Sequence, residues 1–407
     1  MNRKRILILG GTAIQEPMIR LAKEQGHYVI TCDNRPDNPA HVLADEYHDV
    51  SITDPEAVLQ LARELHVDAV VNYILEAGIQ SAAYVHEQMG LPTSPYASVR
   101  ILSNKRLFRQ FLADNGFAVP RLLTCSSVEE GVSRFADMIR DSRISFPVVV
   151  KPCDLWGSRG VTCVSDAASL SEALAYAFSN SRGSDVIIEE FVEPDGCPLE
   201  GDAFAVDGRL TTHVWGDVYP DAEAPNPITP VTYCYPSARP ESQLKALDDE
   251  LQRLMSLLGM RTNAYNIEAR IGRNGKVYLM EVAPRNGSNA TTEVTSFATG
   301  CDIMAGTLRA ALGDPCLDLV DRPCRGFWSS YIVHTNQEGT YRGLWLDDDF
   351  RKNNFVRYTP FVKAGDKVHP YSGTNCSVGM LIARFNTREE LDCWRGNLSS
   401  SFRVELD

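Results

Sequence analysis

Two glutamates, Glu268 and Glu281, are the residues whose type and spacing most directly indicate chemistry in this chain. They lie in the segment AYNIEARIGRNGKVYLMEVAPRNGSN, residues 264–289, where apolar residues alternate on both sides of Asn274-Gly275. Asn-Gly between two alternating runs is the strongest short signal for a two-residue type I′ hairpin turn. The segment therefore predicts an antiparallel hairpin with one glutamate on each strand.

The predicted register brings the two carboxylates together. Counting outwards from the turn pairs Ile271 with Tyr278 and, three residues further along each strand, Glu268 with Glu281. Facing side chains have Cβ atoms roughly 4.5–5.5 Å apart, and two like charges at that spacing are destabilising. A cation between the carboxylates removes this penalty, and Mg²⁺ prefers such oxygen ligands together with substrate phosphates. The alternative is that both glutamates lie on a solvated face and point apart.

A second group of residues is suited to binding phosphates. Lys151 ends the apolar run PVVVKP, and an ammonium at the end of a buried strand needs an anionic partner. Gly157, Ser158 and Gly160 follow in a turn whose backbone N–H groups could fold over phosphates. Lys105 is a second candidate cation, although a lysine on an amphipathic helix is more often solvated.

Composition excludes several classes of function. The net charge of −13 disfavours a nucleic-acid partner, because the phosphates of the nucleic acid would be repelled. The chain has no apolar run near 18 residues and no signal-peptide pattern, so no membrane span or secretion is expected. Its eleven cysteines are scattered without a CxxC pair, which is typical of reduced thiols in a cytoplasmic protein.

The first hundred residues alternate apolar runs with amphipathic stretches, which predicts a parallel, doubly wound sheet. Gly10-Gly11 follows the first run, RILIL, but lacks the full GxGxxG pattern, so a bound nicotinamide is disfavoured. Ligands of such sheets bind at the carboxyl ends of the strands. Glu76 follows the run VDAVVNYI and is therefore placed to contact a substrate, with a solvated loop acid as the alternative.

The remaining elements are less regular. A helix is predicted over 98–116, and buried strands over 146–152 and 185–192. The proline-rich, acidic stretch 217–237 is predicted to be a long surface loop, and loops of that length are usually functional. The segment 241–259 has the period of an amphipathic helix that ends at its glycine.

The order of these parts resembles the ATP-grasp superfamily over essentially the full chain, especially its carboxylate–amine and amino-acid ligase branch. The resemblance implies an α/β fold: a Rossmann-like pre-ATP-grasp domain over 1–95 and an ATP-grasp α+β domain over 96–320, with a lid over about 120–192. A small C-terminal mixed β domain over 321–407 would then pack on the ATP-grasp core.

The resemblance also implies roles for individual residues. Lys105 and Lys151 would bind ATP phosphates under the loop of Gly157, Ser158 and Gly160, while the backbone at Glu189 and Val192 would contact adenine and Glu200 the ribose. Glu268 and Glu281 would hold Mg²⁺, with Mn²⁺ as a substitute, Arg285 would stabilise an acyl phosphate, and Glu76 would take a substrate ammonium group.

One position departs from the family pattern. Many members have Glu-x-Asn at the second metal position, whereas this chain has Glu281-Val282-Ala283. The motif EVAPR is similar to the corresponding motif of purine-pathway members, and GSRGV is similar to that of the amino-acid ligases. The implied activity is an ATP-dependent ligation of a carboxylate to an amine through an acyl phosphate, which releases ADP and phosphate. Two alternatives stay open: purine-type activation of bicarbonate or formate, and nucleotide binding without turnover. The sequence also leaves open which small-molecule carboxylate and amine are the substrates and whether the protein is a homodimer.

Overall fold

The structure is a computed structural model that describes residues 3–407 apart from 156, 158, 182, 184 and 226–228. Its first part alternates strands and helices: β1 Arg5–Leu9, α1 Glu16–Glu24, β2 Tyr28–Cys32, β3 Glu46–His48, α2 Pro55–Glu64, β4 Ala69–Val71 and α3 Ile79–Met89. The strands pair in parallel in the order β3-β2-β1-β4. Alternate residues of β1 enter two different apolar clusters, so both faces are covered. The predicted doubly wound sheet is confirmed.

A second, antiparallel sheet follows. Its region contains α4 Tyr96–Leu102, α5 Lys105–Asp114, β5 Leu122–Cys125, α6 Val128–Arg140, β6 Val148–Pro152, β7 Thr162–Val164, α7 Leu170–Asn180 and β8 Val186–Glu190. The strand order is β5-β8-β6-β7, so β8 lies inside the sheet between β5 and β6. Lys151 on β6 and Glu189 on β8 are thereby placed on adjacent strands.

The single helix predicted over 98–116 is wrong, because the chain forms two helices there. Asn104 is extended and its side-chain oxygen accepts a hydrogen bond from the Leu107 N–H at 3.1 Å. This N-cap competes with continuation of the preceding helix, since an asparagine side chain can replace a helical hydrogen bond. Lys105 therefore occupies the first turn of a new helix.

A large sheet joins the rest of the chain. Its region contains β9 Leu199–Val206, β10 Arg209–His213, β11 Gly216–Pro220, β12 Pro230–Tyr235, α8 Glu241–Leu258, β13 Asn263–Ile271, β14 Val277–Ala283, α9 Thr291–Thr299, α10 Ile303–Ala311, β15 Phe327–Val333, β16 Gly339–Leu346, α11 Asp348–Asn353, β17 Phe355–Pro360, β18 Lys367–Val368, β19 Gly379–Phe385, α12 Arg388–Gly396 and β20 Phe402–Leu406. The order is β14-β13-β9-β11-β12-β15-β19-β17, with β10 beside β9. A small sheet, β18-β16-β20, completes the C-terminal part.

Strands from the C-terminal region thus continue the central sheet, because β15, β19 and β17 are joined to it by backbone hydrogen bonds. The boundaries expected at residues 95 and 320 stay predictions. None of the helices in the described part of the chain combines the length and apolar character that a bilayer span requires.

The long surface loop predicted over 217–237 is wrong. Residues 216–220 and 230–235 form β11 and β12, which pair antiparallel, and Tyr233 and Tyr235 are at most 1% exposed. Most of the described proline and acidic residues of this stretch lie in the connection or at the strand ends. They obscure the run VTYCY, whose β-branched and aromatic residues favour a strand.

The central sheet has one covered face and one face that opens on a cleft. Leu247, Leu251 and Leu254 of α8 pack against one face, together with Tyr265 and Ile267 of β13. Because side chains alternate along a strand, the residues between these on β9 and β13 point to the opposite face. These intervening residues include acidic and amide side chains at positions 200, 202, 266 and 268.

Candidate active site

Glu268 on β13 lies directly opposite Glu281 on β14, as predicted. The hairpin turn that leads to this pairing differs from the predicted two-residue turn. The Gly275 N–H donates to the Gly272 carbonyl at 2.8 Å, and Gly275 has a φ of +73°. Arg273 and Asn274 are therefore the central residues of the turn, followed by a left-handed glycine, which is a common three-residue hairpin loop.

The turn shifts the first strand pairs by one residue. Ile271 faces Val277, so the predicted pairing of Ile271 with Tyr278 is wrong. A β-bulge then corrects the shift, because Ala269 faces Leu279 while the next residue on β13, Glu268, faces Glu281. Met280 is the extra residue of the bulge. Two one-residue irregularities cancel, and the two glutamates face each other.

A third carboxylate extends the row. Glu200 on β9 lies opposite Glu268, so glutamates occupy neighbouring positions on three adjacent strands. Burial, and then the charge of Glu281, raise the pKa of Glu268 to about 7. Burial, and then the charge of Glu268, raise the pKa of Glu200 well above its usual range. The row is short of positive charge, which is the condition under which a cation binds most favourably.

Lys105 provides one positive charge at the end of this row. Its ammonium lies 3.3 Å from Oε2 of Glu281 and donates to the Leu155 carbonyl at 2.5 Å. The Lys105 side chain is 17% exposed, so it is not a solvated helix lysine. Burial alone would raise the pKa of Glu281, but Lys105 and then Arg285 outweigh it, and the pKa of Glu281 is lowered.

Lys151 lies in a buried ion-pair group with Glu189 and Arg109. Its ammonium donates to Oε1 of Glu189, and the Arg109 Nε donates to Oε2 of the same carboxylate at 3.1 Å. Burial opposes ionisation of Glu189, yet the charges of Arg109 and Lys151 lower its pKa to about 2. Burial lowers the pKa of Lys151. The side chain of Glu189 thus orients Lys151, a contact that the sequence did not indicate.

Val192, just after β8, has one backbone group that is available to a ligand. The Val192 carbonyl accepts a hydrogen bond from Arg270 Nη1 at 2.8 Å. Within the described residues, the Val192 N–H donates to no acceptor. Such a free donor at the end of a strand can bind the edge of a planar base.

The glycine-rich turn approaches the C-terminal region. Gly157 and Gly160 have φ values of +66° and +71°, which glycine adopts without strain. A Cβ at Gly157 would lie 2.9 Å from Oγ1 of Thr374, so a larger residue would collide with that threonine. Ser158, predicted to act with these glycines, lies outside the described residues.

Most of the predicted nucleotide and metal residues line one cavity of about 340 Å³. They are Lys105, Lys151, Gly157, Glu189, Val192, Glu200, Glu268 and Glu281. Gly160 belongs to the same turn as Gly157 but is not among the residues that line the cavity, and a Cβ at Gly160 would lie 2.8 Å from Cγ of Pro152. Residues predicted from five separate segments are therefore brought together by the fold.

Glu76 and Arg285 form a pair beside this cavity, although 209 positions separate them in the chain. The Arg285 Nε donates to Oε1 of Glu76 at 2.8 Å, and the two side chains are 7% and 10% exposed. Burial raises the pKa of Glu76 despite the opposing charge of Arg285. A further small cavity is lined by Glu76 together with Lys105 and Glu281, which connects this pair to the glutamate row.

The loop that carries Arg285 is fixed by Asp202, a residue that sequence reasoning missed. The fully buried Asp202 accepts hydrogen bonds from the Gly287 N–H at 2.8 Å, from Thr291 Oγ1 at 2.9 Å and from Asn266 Nδ2 at 2.9 Å. The sequence does contain a pattern that could have identified Asp202, because Glu200 and Asp202 alternate with uncharged residues in the run LEGDAFAV. Arg109 was missed as well, and its helix offers no local signal.

Known proteins are similar to the part of the chain that carries most of this site. Residues 144–293, which include β6, β8 and the glutamate hairpin, match the ATP-grasp domain family. This part of the chain is therefore similar to an ATP-grasp domain. The match covers the two strands that carry Lys151 and Glu189 and both strands that carry the facing glutamates.

Two bacterial enzymes are among the proteins similar to this chain. The formate-dependent phosphoribosylglycinamide formyltransferase of Bacteroides thetaiotaomicron is 31% identical over 196 residues, which is 47% of this chain and 49% of that protein. The enzyme of the same description from Bacteroides fragilis is 26% identical over 342 residues, 77% of this chain and 78% of that protein. The chain thus spans about half the length of the first of these relatives.

Solved structures show the same fold. The L-amino acid ligase of Bacillus licheniformis superposes with a TM-score of 0.80 over the full length of both chains, at 20% identity. The described elements, with a parallel sheet first, an antiparallel four-stranded sheet next and a large central sheet last, therefore share the overall fold of that enzyme.

Proposed function

We propose that this protein is an ATP-dependent ligase that joins a small carboxylate to an amine through an acyl phosphate, with release of ADP and phosphate. One observation carries the proposal: Glu268 faces Glu281 across the hairpin, in a cavity that two lysines also line. Phosphoryl transfer depends mainly on positioning and on neutralising charge, and these groups can do both. The ATP-grasp domain supports the same assignment.

The residues that line the cavity support one orientation of ATP, with its phosphates at the two lysines. Lys151 and Lys105 lie where phosphates can exchange with their present carboxylate partners, Glu189 and Glu281. The Val192 N–H, which donates to no acceptor among the described residues, is proposed to bind an adenine nitrogen. Glu200, which lines the same cavity, is proposed to bind the ribose.

The donor set fits a divalent cation. Two facing carboxylates provide hard oxygen ligands on a stiff hairpin, and the contact of the Lys105 ammonium with Glu281 shows that positive charge is stabilised there. Glu268 and Glu281 would hold Mg²⁺, and Mn²⁺, which prefers similar oxygen ligands, would substitute for it. When bound, Mg²⁺ neutralises charge on the ATP phosphates.

The remaining chemistry needs no nucleophile from the protein. A carboxylate is a poor acyl donor because its leaving group would be oxide, whereas phosphorylation by ATP converts that oxygen into a good leaving group. Arg285 offers a planar guanidinium that can bind the oxygens of the acyl phosphate. Glu76 holds this guanidinium in place and carries the negative charge that an incoming ammonium group would meet.

The test measures which phosphorus product receives oxygen from the acid. With ¹⁸O-labelled carboxylate and a matching amine, we expect ADP formation only in the presence of the acid, with one label in the released phosphate. Label recovered in AMP would show an acyl-adenylate and refute the mechanism. ATP binding without turnover, for every acid and amine supplied pairwise, would favour the non-catalytic alternative.

A second candidate is activation of formate or bicarbonate for a phosphorylated amine. The Bacteroides fragilis relative, a formate-dependent phosphoribosylglycinamide formyltransferase, is similar over most of this chain and favours it. The charge balance favours an unphosphorylated, zwitterionic partner instead, because Glu76 already neutralises Arg285. ADP release with formate and a ribotide amine, but not with free amino acids, would decide for the second candidate. For either substrate we propose a cytoplasmic location, where ATP is supplied.

A further inference from the structure

We propose that Arg109 is a positioning residue that couples the phosphate-binding lysine to the metal-binding strand, an inference that rests on the proposed function of the same site. Arg109 lies on α5 and is 1% exposed. Nothing in its sequence neighbourhood, KRLFRQFLAD, distinguishes it from the other arginine of this helix. Its contacts in the fold do.

The guanidinium of Arg109 binds two separate parts of the site. On one side, its Nε donates to Oε2 of Glu189 at 3.1 Å and its Nη2 donates to Oε1 at 3.4 Å. On the other side, its Nη1 donates to the carbonyls of Met280 at 3.0 Å and Leu279 at 3.3 Å. These two carbonyls belong to the β-bulge that immediately precedes Glu281.

The first contact allows Lys151 to change partners. In the structure the Lys151 ammonium donates to Glu189, which is buried and 1% exposed. When Lys151 moves to a phosphate, a buried Glu189 without another partner would be strongly unfavourable. Arg109 remains bound to Glu189, so the carboxylate stays neutralised while the lysine binds ATP.

The second contact fixes the bulge. A bulge residue leaves the regular ladder, and its backbone groups need other partners. Arg109 supplies donors to the carbonyls of Leu279 and Met280, and so holds the backbone that sets the position of Glu281. A lysine has one compact ammonium group and cannot reach the carboxylate and both carbonyls in this fork geometry.

The test uses adenylyl imidodiphosphate, a non-hydrolysable ATP analogue, titrated by calorimetry at several Mg²⁺ concentrations. For Arg109→Lys and Arg109→Met we expect analogue affinity to fall about tenfold or more, the loss that follows removal of one buried charge-assisted hydrogen bond. We also expect half-maximal binding to require more Mg²⁺. Unchanged affinity and Mg²⁺ dependence in Arg109→Lys would overturn the proposal.

Arg106→Met is the matched control. Arg106 lies on the same helix and forms a salt bridge with Asp185 at 2.9 Å, next to β8, but its side chain is 50% exposed. Its loss removes an arginine contact to the same sheet without touching Glu189 or the bulge. We expect wild-type analogue affinity and Mg²⁺ dependence in this variant.

A double variant separates positioning from simple charge balance. Arg109→Met with Glu189→Gln removes the buried carboxylate together with its partner, so it remains informative if Arg109→Met alone does not fold. We expect its thermal midpoint to approach that of Glu189→Gln, while its Mg²⁺ requirement stays raised. A Mg²⁺ requirement equal to that of Glu189→Gln would overturn the role at the bulge. Failure of the wild-type protein to bind the analogue at all would instead refute the proposed function.

Discussion

Glu268 is the least balanced charge of the site. It faces Glu281 on one side and Glu200 on the other, whereas Lys105 bonds to Glu281 and not to Glu268. Its pKa is raised to about 7, mainly by burial and secondly by the charge of Glu281. The same imbalance that disfavours ionised Glu268 in the folded protein favours the binding of a cation.

We expect Glu268→Gln to stabilise the ligand-free protein in a pH-dependent manner. An unfolded chain ionises Glu268 near its ordinary pKa of 4.5, while the folded protein retains the proton up to about pH 7. Ionised Glu268 is disfavoured in the fold, so the free energy of unfolding falls as the pH rises through this window.

Glutamine does not ionise, so Glu268→Gln removes this pH-dependent loss of stability. Thermal midpoints measured without Mg²⁺ should differ little from wild type at pH 4.5 and should be higher than wild type above pH 7. A variant that is less stable than wild type above pH 7 would show that Glu268 contributes a favourable contact instead.

Glu281→Gln should affect turnover far more than folding. The change keeps the shape of the side chain and removes one of two facing charges, but it also removes a proposed Mg²⁺ ligand. We expect kcat to fall by roughly 10²-fold or more, the scale of losing one charge-stabilising group. The thermal midpoint should fall only modestly, because the variant loses the ion pair with Lys105 but is also relieved of the repulsion between the two facing carboxylates. Glu250→Gln, on the surface of α8, is the control. Retained turnover would show that the pair is structural.

At the scale of elements, the site depends on two tight backbone segments. The bulge at Met280 aligns the two glutamates, and the loop from Arg285 to Thr291 is bound to Asp202 by its backbone and side chains. A Cβ at Gly287 would lie 1.9 Å from Oγ1 of Thr291 and 2.3 Å from Oδ1 of Asp202. Only glycine fits at this position of the loop.

Gly287→Ala should therefore reduce activity by displacing Arg285. The added methyl group must break the contact of the loop with Asp202, whereas Gly275→Ala adds a methyl group to open space at the hairpin turn. The turn variant should lose only about 1 kcal/mol of stability, because its backbone has a positive φ. Steady-state kinetics of both variants, with denaturation to measure stability, make the comparison. Equal kinetics in the two variants would contradict the proposed role of the loop.

At the scale of the whole molecule, the site forms where three sheets meet. The first sheet contributes Glu76 beyond β4, the four-stranded sheet contributes Lys151 and Glu189, and the central sheet contributes the glutamate hairpin and Arg285. The buried pair of Glu76 and Arg285 joins the first sheet to the third. Breaking this pair should therefore affect global stability.

A double-mutant cycle measures that connection. Arg285→Met alone should reduce the free energy of unfolding by about 3–5 kcal/mol, because it leaves Glu76 buried without its counter-charge. Glu76→Gln should reduce it by less, because burial already raises the pKa of Glu76 and disfavours its ionised form. The double variant should lose less than the sum of the two. The exposed pair of Glu16 and Arg20 is the control, with an expected coupling of about 0.3–0.5 kcal/mol. Additive losses in the buried pair would show that the two side chains act independently.

The sequence by itself determined the parts of this protein that local rules control. Alternating apolar runs predicted the parallel sheet, and the hairpin pattern predicted that Glu268 faces Glu281, because strand pairing follows from a turn and a period of two. The predicted register reached the right pair through a wrong turn, since the three-residue loop at Gly275 and the bulge at Met280 cancel. Neither irregularity has a distinct sequence pattern.

Only the tertiary structure decided which charges became partners. The helix of Lys105 was predicted, but its break at Asn104 and the burial of the ammonium against Glu281 were not. The pair of Glu76 and Arg285, and the contacts of Arg109, join residues that are far apart in the chain. A local pattern records the preferences of neighbouring residues, whereas a buried ion pair forms when packing removes water from two distant side chains and leaves each as the other's only compensation.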